Sequence, residues 1–361
     1  MSVSRLSEEL AKAGCKVSVY TTTANGDKEL PITPNTTKLV DGAEVTYFKR
    51  ITKDHSHLSP ALLKALWQNA GQYNVIHIHA WWNLVSVLSA LVAQLKGVPV
   101  VVSPRGTLSD YSFDYKNSLL KKLFHSWLGR PLLNRSLIHA TSAAEQQSLQ
   151  QIITPRQIFD IPNFVNIASS PKTKITDSPV LKLLFFSRID EKKGLDILLH
   201  ALALLKIRYH LTIAGNGDDN YISFLKNIAH YNNTERHINW IGFQQDNKFE
   251  VLAGHDLMIL PSHNENFGNV VIESLSAGTP VLISEGVGLT NYVTKNNLGW
   301  VCRTNPQSVA DVINDVAINQ KNKLQQISTD APGIIHADFD DVKLVQRYIG
   351  MYQHIIKARQ L

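Results

Sequence analysis

Glu265 and Glu273 lie in one stretch, 261–273, that combines a strand end, a polar turn at Asn266-Phe267-Gly268-Asn269 and a helix start. The run before it, 256–260, is short, apolar and closed by Pro261, the pattern of a buried parallel strand. A helix is expected to open at 266–269 and to pass Glu273 and Leu275 before stopping at Gly278-Thr279-Pro280. Free amides at such a start, with the positive end of the helix dipole, favour a phosphate or other anion, and Gly268 lets it approach the backbone. Glu265 then precedes the helix and Glu273 lies about one to two turns inside it, so both carboxylates can flank one polyhydroxylated ligand. A helix-start carboxylate followed by a solvated helical one gives the same spacing, so the pair takes its meaning from its neighbours.

Those neighbours carry a resemblance. Two glutamates separated by seven residues, with Phe-Gly second and third between them and Gly-Thr-Pro behind, resemble the signature of retaining glycosyltransferases of family 4. The resemblance implies a two-lobed glycosyltransferase-B fold, a nucleotide-sugar donor (UDP- or GDP-linked), no cofactor and no metal. It implies that Glu273 binds the ribose hydroxyls and that Glu265 contacts the donor sugar near the reacting centre. The amides of Phe267, Gly268 and Asn269, with Asn266 beside them, would hold sugar and phosphate. Ser187-Arg188-Ile189 through Lys193-Gly194 resembles the family's Gly-Arg-Leu and Lys-Gly element, with Ser187 departing from Gly. Arg188 and Lys193 would neutralise a departing diphosphate; a plain surface charge cluster is the alternative. Gly215-Asn216-Gly217 permits close backbone approach to the donor and is a weak nucleotide signal by itself. Arg105, in the loop after strand 98–103, stands where many members place a donor-contacting His, which suggests a role with the diphosphate or an anionic acceptor.

A chain of 361 residues suggests two domains. Cys15 and Cys302 fall in different expected domains, so a disulfide framework is not expected. No run reaches the ~18 apolar residues that span a bilayer, and the N-terminus lacks a signal peptide's apolar core, which leads us to expect a cytoplasmic protein. The net charge of +6 is uneven: through residue 165 there are 17 Lys and Arg against 11 Asp and Glu, and beyond it 19 against 19. A basic first half suits an anionic partner such as a lipid diphosphate at a membrane surface; nucleic acid is the competing partner, disfavoured because no binding module accompanies the charge.

Along the chain, 5–13 is an amphipathic helix stopped by Gly14, and 16–21 a strand; together they resemble the family's first helix and second strand. The family's first strand and Gly-Gly loop would precede them, so an open sheet lacking that central strand should leave pairing edges and apolar surface uncovered. Strand 75–79 sets His77 and His79 on one face, a metal pair by spacing but more simply strand-end packing. Trp81-Trp82 could stack on a sugar or lipid, or pack. Residues 116–133 form a helix with Lys121, Lys122 and Arg130 beside Leu119, Leu120, Phe124 and Trp127, fit for an anionic membrane or for a core with a solvated basic face. Strand 136–141, helix 143–151 and strand 158–161 lead to Pro162-Asn163-Phe164-Val165-Asn166, which resembles the Pro-Asn-Gly-Val-Asp closing the family's first lobe. After the polar linker 168–178 come strands 180–186, 211–214, 238–242, 281–284 and 299–302, with helices at 195–205 and 245–253. Asp338-Phe339-Asp340 has metal-like spacing but precedes the terminal helix 342–357, where acids suit the N-terminus.

The expected fold is α/β, with two Rossmann-like doubly wound parallel-sheet domains facing a cleft: 1–166 on the acceptor side, with 342–361 packing back on it, and 167–341 binding the nucleotide-sugar. The expected activity is retaining sugar transfer to a lipid-linked or polysaccharide acceptor of a cell-surface glycan, by a cytoplasmic protein in peripheral contact with the inner membrane face. A truncated donor-binding homologue without turnover and a nucleotide-sugar epimerase of the same fold are the alternatives.

Overall fold

Short apolar runs punctuated by Gly, Asn and Pro become strands, and amphipathic stretches between them helices, in a computed structural model that describes residues 2–26, 28–54, 56–108, 124–169 and 178–360. The chain divides into two compact units, Met1–Phe164 with Asp341–Leu361, and Val165–Asp340.

The first unit runs α1 (Ser2–Lys12), β1 (Ser18–Thr22), β2 (Ala24–Asn25), β3 (Lys28–Glu29), β4 (Thr36–Val40), β5 (Ala43–Phe48), α2 (Pro60–Asn69), β6 (Ile76–His79), α3 (Leu84–Leu95) and β7 (Val100–Ser103). It continues with α4 (Arg130–Arg135), β8 (Leu137–Ala140), α5 (Ala143–Ile152) and β9 (Ile158–Asp160). One sheet has the order β1-β5-β4 and another β6-β7-β8-β9, the latter parallel throughout. Among the described residues β1 pairs with β5 alone and β6 with β7 alone, so each presents an unpaired edge. Ile78, Trp81, Val87, Val102, Leu133 and Ile138 pack into one core. Trp81 is fully buried there, so of its two expected roles it takes packing, while the Trp82 indole N–H donates to the Thr107 carbonyl. Of the basic helix expected at 116–133, residues 116–123 lie outside the described residues; further on, Trp127 is 83% exposed and Leu132 and Leu133 are buried.

The second unit alternates strand and helix and closes on a helix pair: β10 (Leu181–Phe186), α6 (Leu195–Leu202), β11 (Tyr209–Ala214), α7 (Asp219–Tyr231), β12 (Ile238–Gly242), α8 (Lys248–Ala253), β13 (Leu257–Leu260), α9 (Asn269–Ser276), β14 (Val281–Ser284), α10 (Thr290–Lys295), β15 (Gly299–Cys302), α11 (Pro306–Asn319) and α12 (Lys321–Asp338). All pairs are parallel in the order β12-β11-β10-β13-β14-β15. β13 and β14 are apolar along nearly their whole length because helices cover both faces of the sheet and both strands are buried throughout. The order reverses between β10 and β13, which opens a crevice at their carboxyl ends, the place where such sheets hold ligands.

The last helix, α13 (Asp341–Gln360), belongs to the first unit. Arg5 of α1 pairs with Asp341, and Tyr348 stacks on Phe164 with ring centroids 5.6 Å apart. Phe164, where the family has Gly, thus fills space against the helix. Beneath lies a directed chain of hydrogen bonds. The His139 Nε2–H donates to the Ile161 carbonyl at 2.8 Å, which leaves Nδ1 to accept from the Ser103 hydroxyl at 2.6 Å. Ser103 then accepts from His77 Nε2–H at 2.6 Å, and His77 Nδ1 accepts from the Tyr352 hydroxyl at 2.7 Å. Both nitrogens of His77 are engaged in this chain, and His79 Nδ1 accepts from Arg105 at 3.3 Å, so the pair is built into strand-end packing.

Burial holds His77 and His79 well below the usual imidazole range and His139 down to about 3. All three rings are neutral when folded and gain a proton more readily when unfolded. Their stabilisation is therefore complete above about pH 6.5 and is lost as the pH falls toward the folded values. Thermal unfolding followed by near-UV circular dichroism should show the melting temperature dropping progressively below about pH 6.5. Ser103→Ala leaves two ring nitrogens unpaired and should cost about 1–3 kcal/mol at neutral pH in denaturant titration.

Candidate functional site

The crevice of the second unit is built by loops that are stitched together through backbone. After β10, the Ile189 amide donates to the Asn216 carbonyl at 2.8 Å, and the His263 amide beyond β13 donates to the Lys192 carbonyl at 2.8 Å. The Glu265 amide donates to Gly286 at 2.9 Å, and its carbonyl accepts from Gly288 at 2.7 Å, so the loop after β14 fixes its position. Such contacts need bare backbone. A Cβ on Gly194 would strike the Pro261 carbonyl, one on Gly215 the Ser187 carbonyl, and one on Gly286 the carbonyls of Ser262 and His263. Gly194 also has φ of 66°, where only glycine is unstrained.

This stitching delivers Lys193 to Glu265. Their ammonium and carboxylate form an ion pair in which the side chains are 13% and 21% exposed, protected enough to be screened less than a surface pair. Immediately beyond, Gly268 turns the chain with φ of 84° and caps α9, which starts at Asn269 rather than at Asn266. The capping glycine explains the shorter helix, since its left-handed conformation cannot belong to the helix itself. Phe267 is buried against the edge of the Phe339 ring, with centroids 6.3 Å apart, and this leaves the turn's backbone rather than its aromatic ring to face a ligand. Asn266 and Asn269 are half-buried on either side.

Glu273 lies within α9, buried, and meets the ammonium of Lys248, the first residue of α8. Burial pushes its carboxyl above the ordinary carboxylate range and Lys248 pulls it back. The two carboxylates thus sit in different settings: Glu265 precedes the helix in a half-buried turn, and Glu273 is a buried helical acid. Lys248 has no sequence signal. It is 25 residues upstream on another element, and only the packing of α8 on α9 reveals the pair.

The other expected residues are placed less closely together. Arg188 is in the loop after β10, with its side chain 72% exposed and 3.4 Å from Asp190, a separation typical of a weak surface pair. Gly215 directly follows β11 and lies against the Ser187 carbonyl, adjacent to Arg188. Arg105 belongs to the first unit, with φ of 53°, donating to Asn163 Oδ1 at 2.7 Å and to His79. Asp338 accepts from the Tyr292 hydroxyl at 2.7 Å, and Asp341 pairs with Arg5. Among the described residues no three His, Cys, Asp or Glu side chains converge as metal ligands would.

Gly194→Ala combines a positive φ with a backbone collision and should destabilise the second unit by about 2–4 kcal/mol in urea unfolding. The same substitution at Gly26, which has open space around it, should cost about 1 kcal/mol from φ alone.

Comparison with known proteins bears on what this crevice is. The family model for glycosyltransferase family 4 matches residues 1–169, and that for glycosyl transferases group 1 matches residues 169–332. Glycogen synthase of Mycobacterium tuberculosis is 29% identical over 252 residues, 66% of this chain; the chain spans 58% of that relative. An uncharacterised 41.2 kDa protein in the cps region of Klebsiella pneumoniae is 22% identical over 369 residues, covering 96% of this chain and 98% of its own. The crystal structure of Anabaena HepE in complex with UDP and glucose superposes with a TM-score of 0.71 at 20% identity, over 94% of this chain and all of that one. Two adjoining family models, a β10–β13 switch point and the Glu265–Glu273 turn agree, and the chain belongs to the family 4, group 1 glycosyltransferases with the glycosyltransferase-B fold.

Proposed function

We propose that this chain is a retaining glycosyltransferase that moves a sugar from a UDP- or GDP-linked donor to a lipid-linked or polysaccharide acceptor in cell-surface glycan synthesis. The observation that carries the reading is the Lys193–Glu265 pair set at the switch point directly before the Gly268-capped start of α9. A helix start with a glycine cap suits the donor phosphates, and Glu273 inside the same helix suits the ribose diol. Glu265 contacts the donor sugar. Lys193 is shared between Glu265 and the diphosphate, gaining the second partner as negative charge develops on the leaving group; Arg188, with its exposed guanidinium, swings to the same charge. These cations supply the neutralisation without a metal. The acceptor hydroxyl attacks the face that the diphosphate leaves, and stabilisation of the oxocarbenium-like carbon and of the diphosphate supplies most of the rate.

The relatives support the class of substrate. HepE was solved with UDP and glucose, and a near full-length relative is encoded in a cps region. Among the described residues no helix is long and apolar enough to cross a membrane. We place the enzyme in the cytoplasm, its basic first unit in peripheral contact with the anionic inner membrane face where a lipid-linked acceptor resides.

Calorimetry with UDP-, GDP- and ADP-sugars should find one preferred donor, and Glu273→Ala should weaken it at least about tenfold. Glu265→Gln should lower turnover by about a hundredfold or more while donor affinity stays within about threefold. The product's anomeric configuration, read by NMR, should match the donor's; an inverted product would overturn retention. Donor binding with no transfer to any acceptor would favour a donor-binding homologue, and a free epimerised nucleotide-sugar would favour an epimerase.

A further inference from the structure

Lys248 enters none of the roles above, yet it is the partner of the most buried acid in the crevice. It opens α8, which packs on α9, and its ammonium donates to Oε1 of Glu273. The lysine and glutamate side chains are 21% and 9% exposed. Among the described residues no other donor reaches this carboxylate, so Oε2 has no protein partner. Helix α12 also packs on α9, and its buried residues, among them Leu324, Ile327, Ser328 and Ala331, are uncharged. Lys248 is the charged group acting on Glu273.

We propose that Lys248 is a positioning residue of the donor site: by holding Oε1 of Glu273 it keeps the side chain a carboxylate in one orientation, with Oε2 presented to the ribose diol of a nucleoside diphosphate. The proposal rests on the reading of Glu273 as the ribose-binding residue. The physical need is plain. A diol donates two hydrogen bonds, and a carboxylate accepts them, whereas a carboxylic acid offers a donor where an acceptor is wanted. In so buried a place, the acid form prevails unless a cation opposes it. Lys248 is that cation, and because it takes one oxygen only, it orients the carboxylate without closing it.

Two readouts on Lys248→Met, Lys248→Gln, Lys248→Arg and Glu273→Gln test this. The first is the titration of Glu273 in the nucleotide-free protein, followed through its 13C-labelled carboxyl by NMR and assigned by its loss in Glu273→Gln. The second is calorimetric affinity for UDP and for GDP between pH 5.5 and 8.5. In Lys248→Met and Lys248→Gln, Glu273 should titrate at least about one unit higher than in the wild type. Affinity for the preferred nucleotide should then fall about tenfold or more near pH 6 and recover as the pH rises. Lys248→Arg should keep both properties near wild type, and Glu273→Gln should bind weakly without a pH-dependent arm. If Glu273 titrates unchanged in a folded Lys248 variant, or if affinity drops by one factor at every pH, the proposal is overturned. Should Glu273 shift while neither nucleotide's affinity follows, the ion pair stands but its place in a donor site fails.

Discussion

The crevice depends on main chain lying directly against main chain. Three loops, those following β10, β13 and β14, meet through the His263 amide on Lys192, the Glu265 amide on Gly286 and the Glu265 carbonyl under Gly288. Side chains would hold these loops apart, and so Gly194 and Gly286 stand where a Cβ would enter a neighbouring carbonyl. The Lys193–Glu265 pair follows from this arrangement. Long polar side chains lose much rotamer entropy when fixed; here the backbone anchors on either side of both residues have already limited where they can go.

The same crevice solves a charge problem twice and differently. Glu265 is kept near a lysine in a turn, where solvent still reaches. Glu273 is sunk in a helix and balanced by a lysine from another helix. A carboxylate buried without a cation would neutralise itself by taking a proton. Pairing each acid with a lysine from a separate element balances both carboxylates and ties the loop after β10 and helix α8 to the α9 start.

The second unit was legible in the sequence because its signals are local. Short apolar runs such as 257–260 and 281–284, bounded by Pro and Gly, read as buried strands between helices, and Gly268 marks the helix start by its backbone alone. What escaped is what depends on distance along the chain. Lys248 carries no spacing relative to Glu273, and β4, exposed along its whole length, has no alternation to announce it. The sequence pattern placed the start of α9 at 266–269, and the αL cap at Gly268 moved it to the end of that window. The histidines of β6 were open to two readings from spacing, and a third histidine with a serine, 26 residues and more away, decided between them.

The order in which the chain is made has a consequence for how it folds. The chain leaves the first unit at Phe164 and comes back to it at Asp341, so the second unit is a continuous segment and the first is not. Tyr352, which closes the histidine network, and Tyr348, which stacks on Phe164, are synthesised after the whole of the second unit. The second unit can complete its sheet while still tethered at both ends of its sequence, whereas the first must wait, with its core lacking α13, until the segment beyond the second unit has been made. Domains usually mature from the N-terminus onward; in this chain the downstream unit is the first able to finish, and the unit that precedes it is sealed only afterwards.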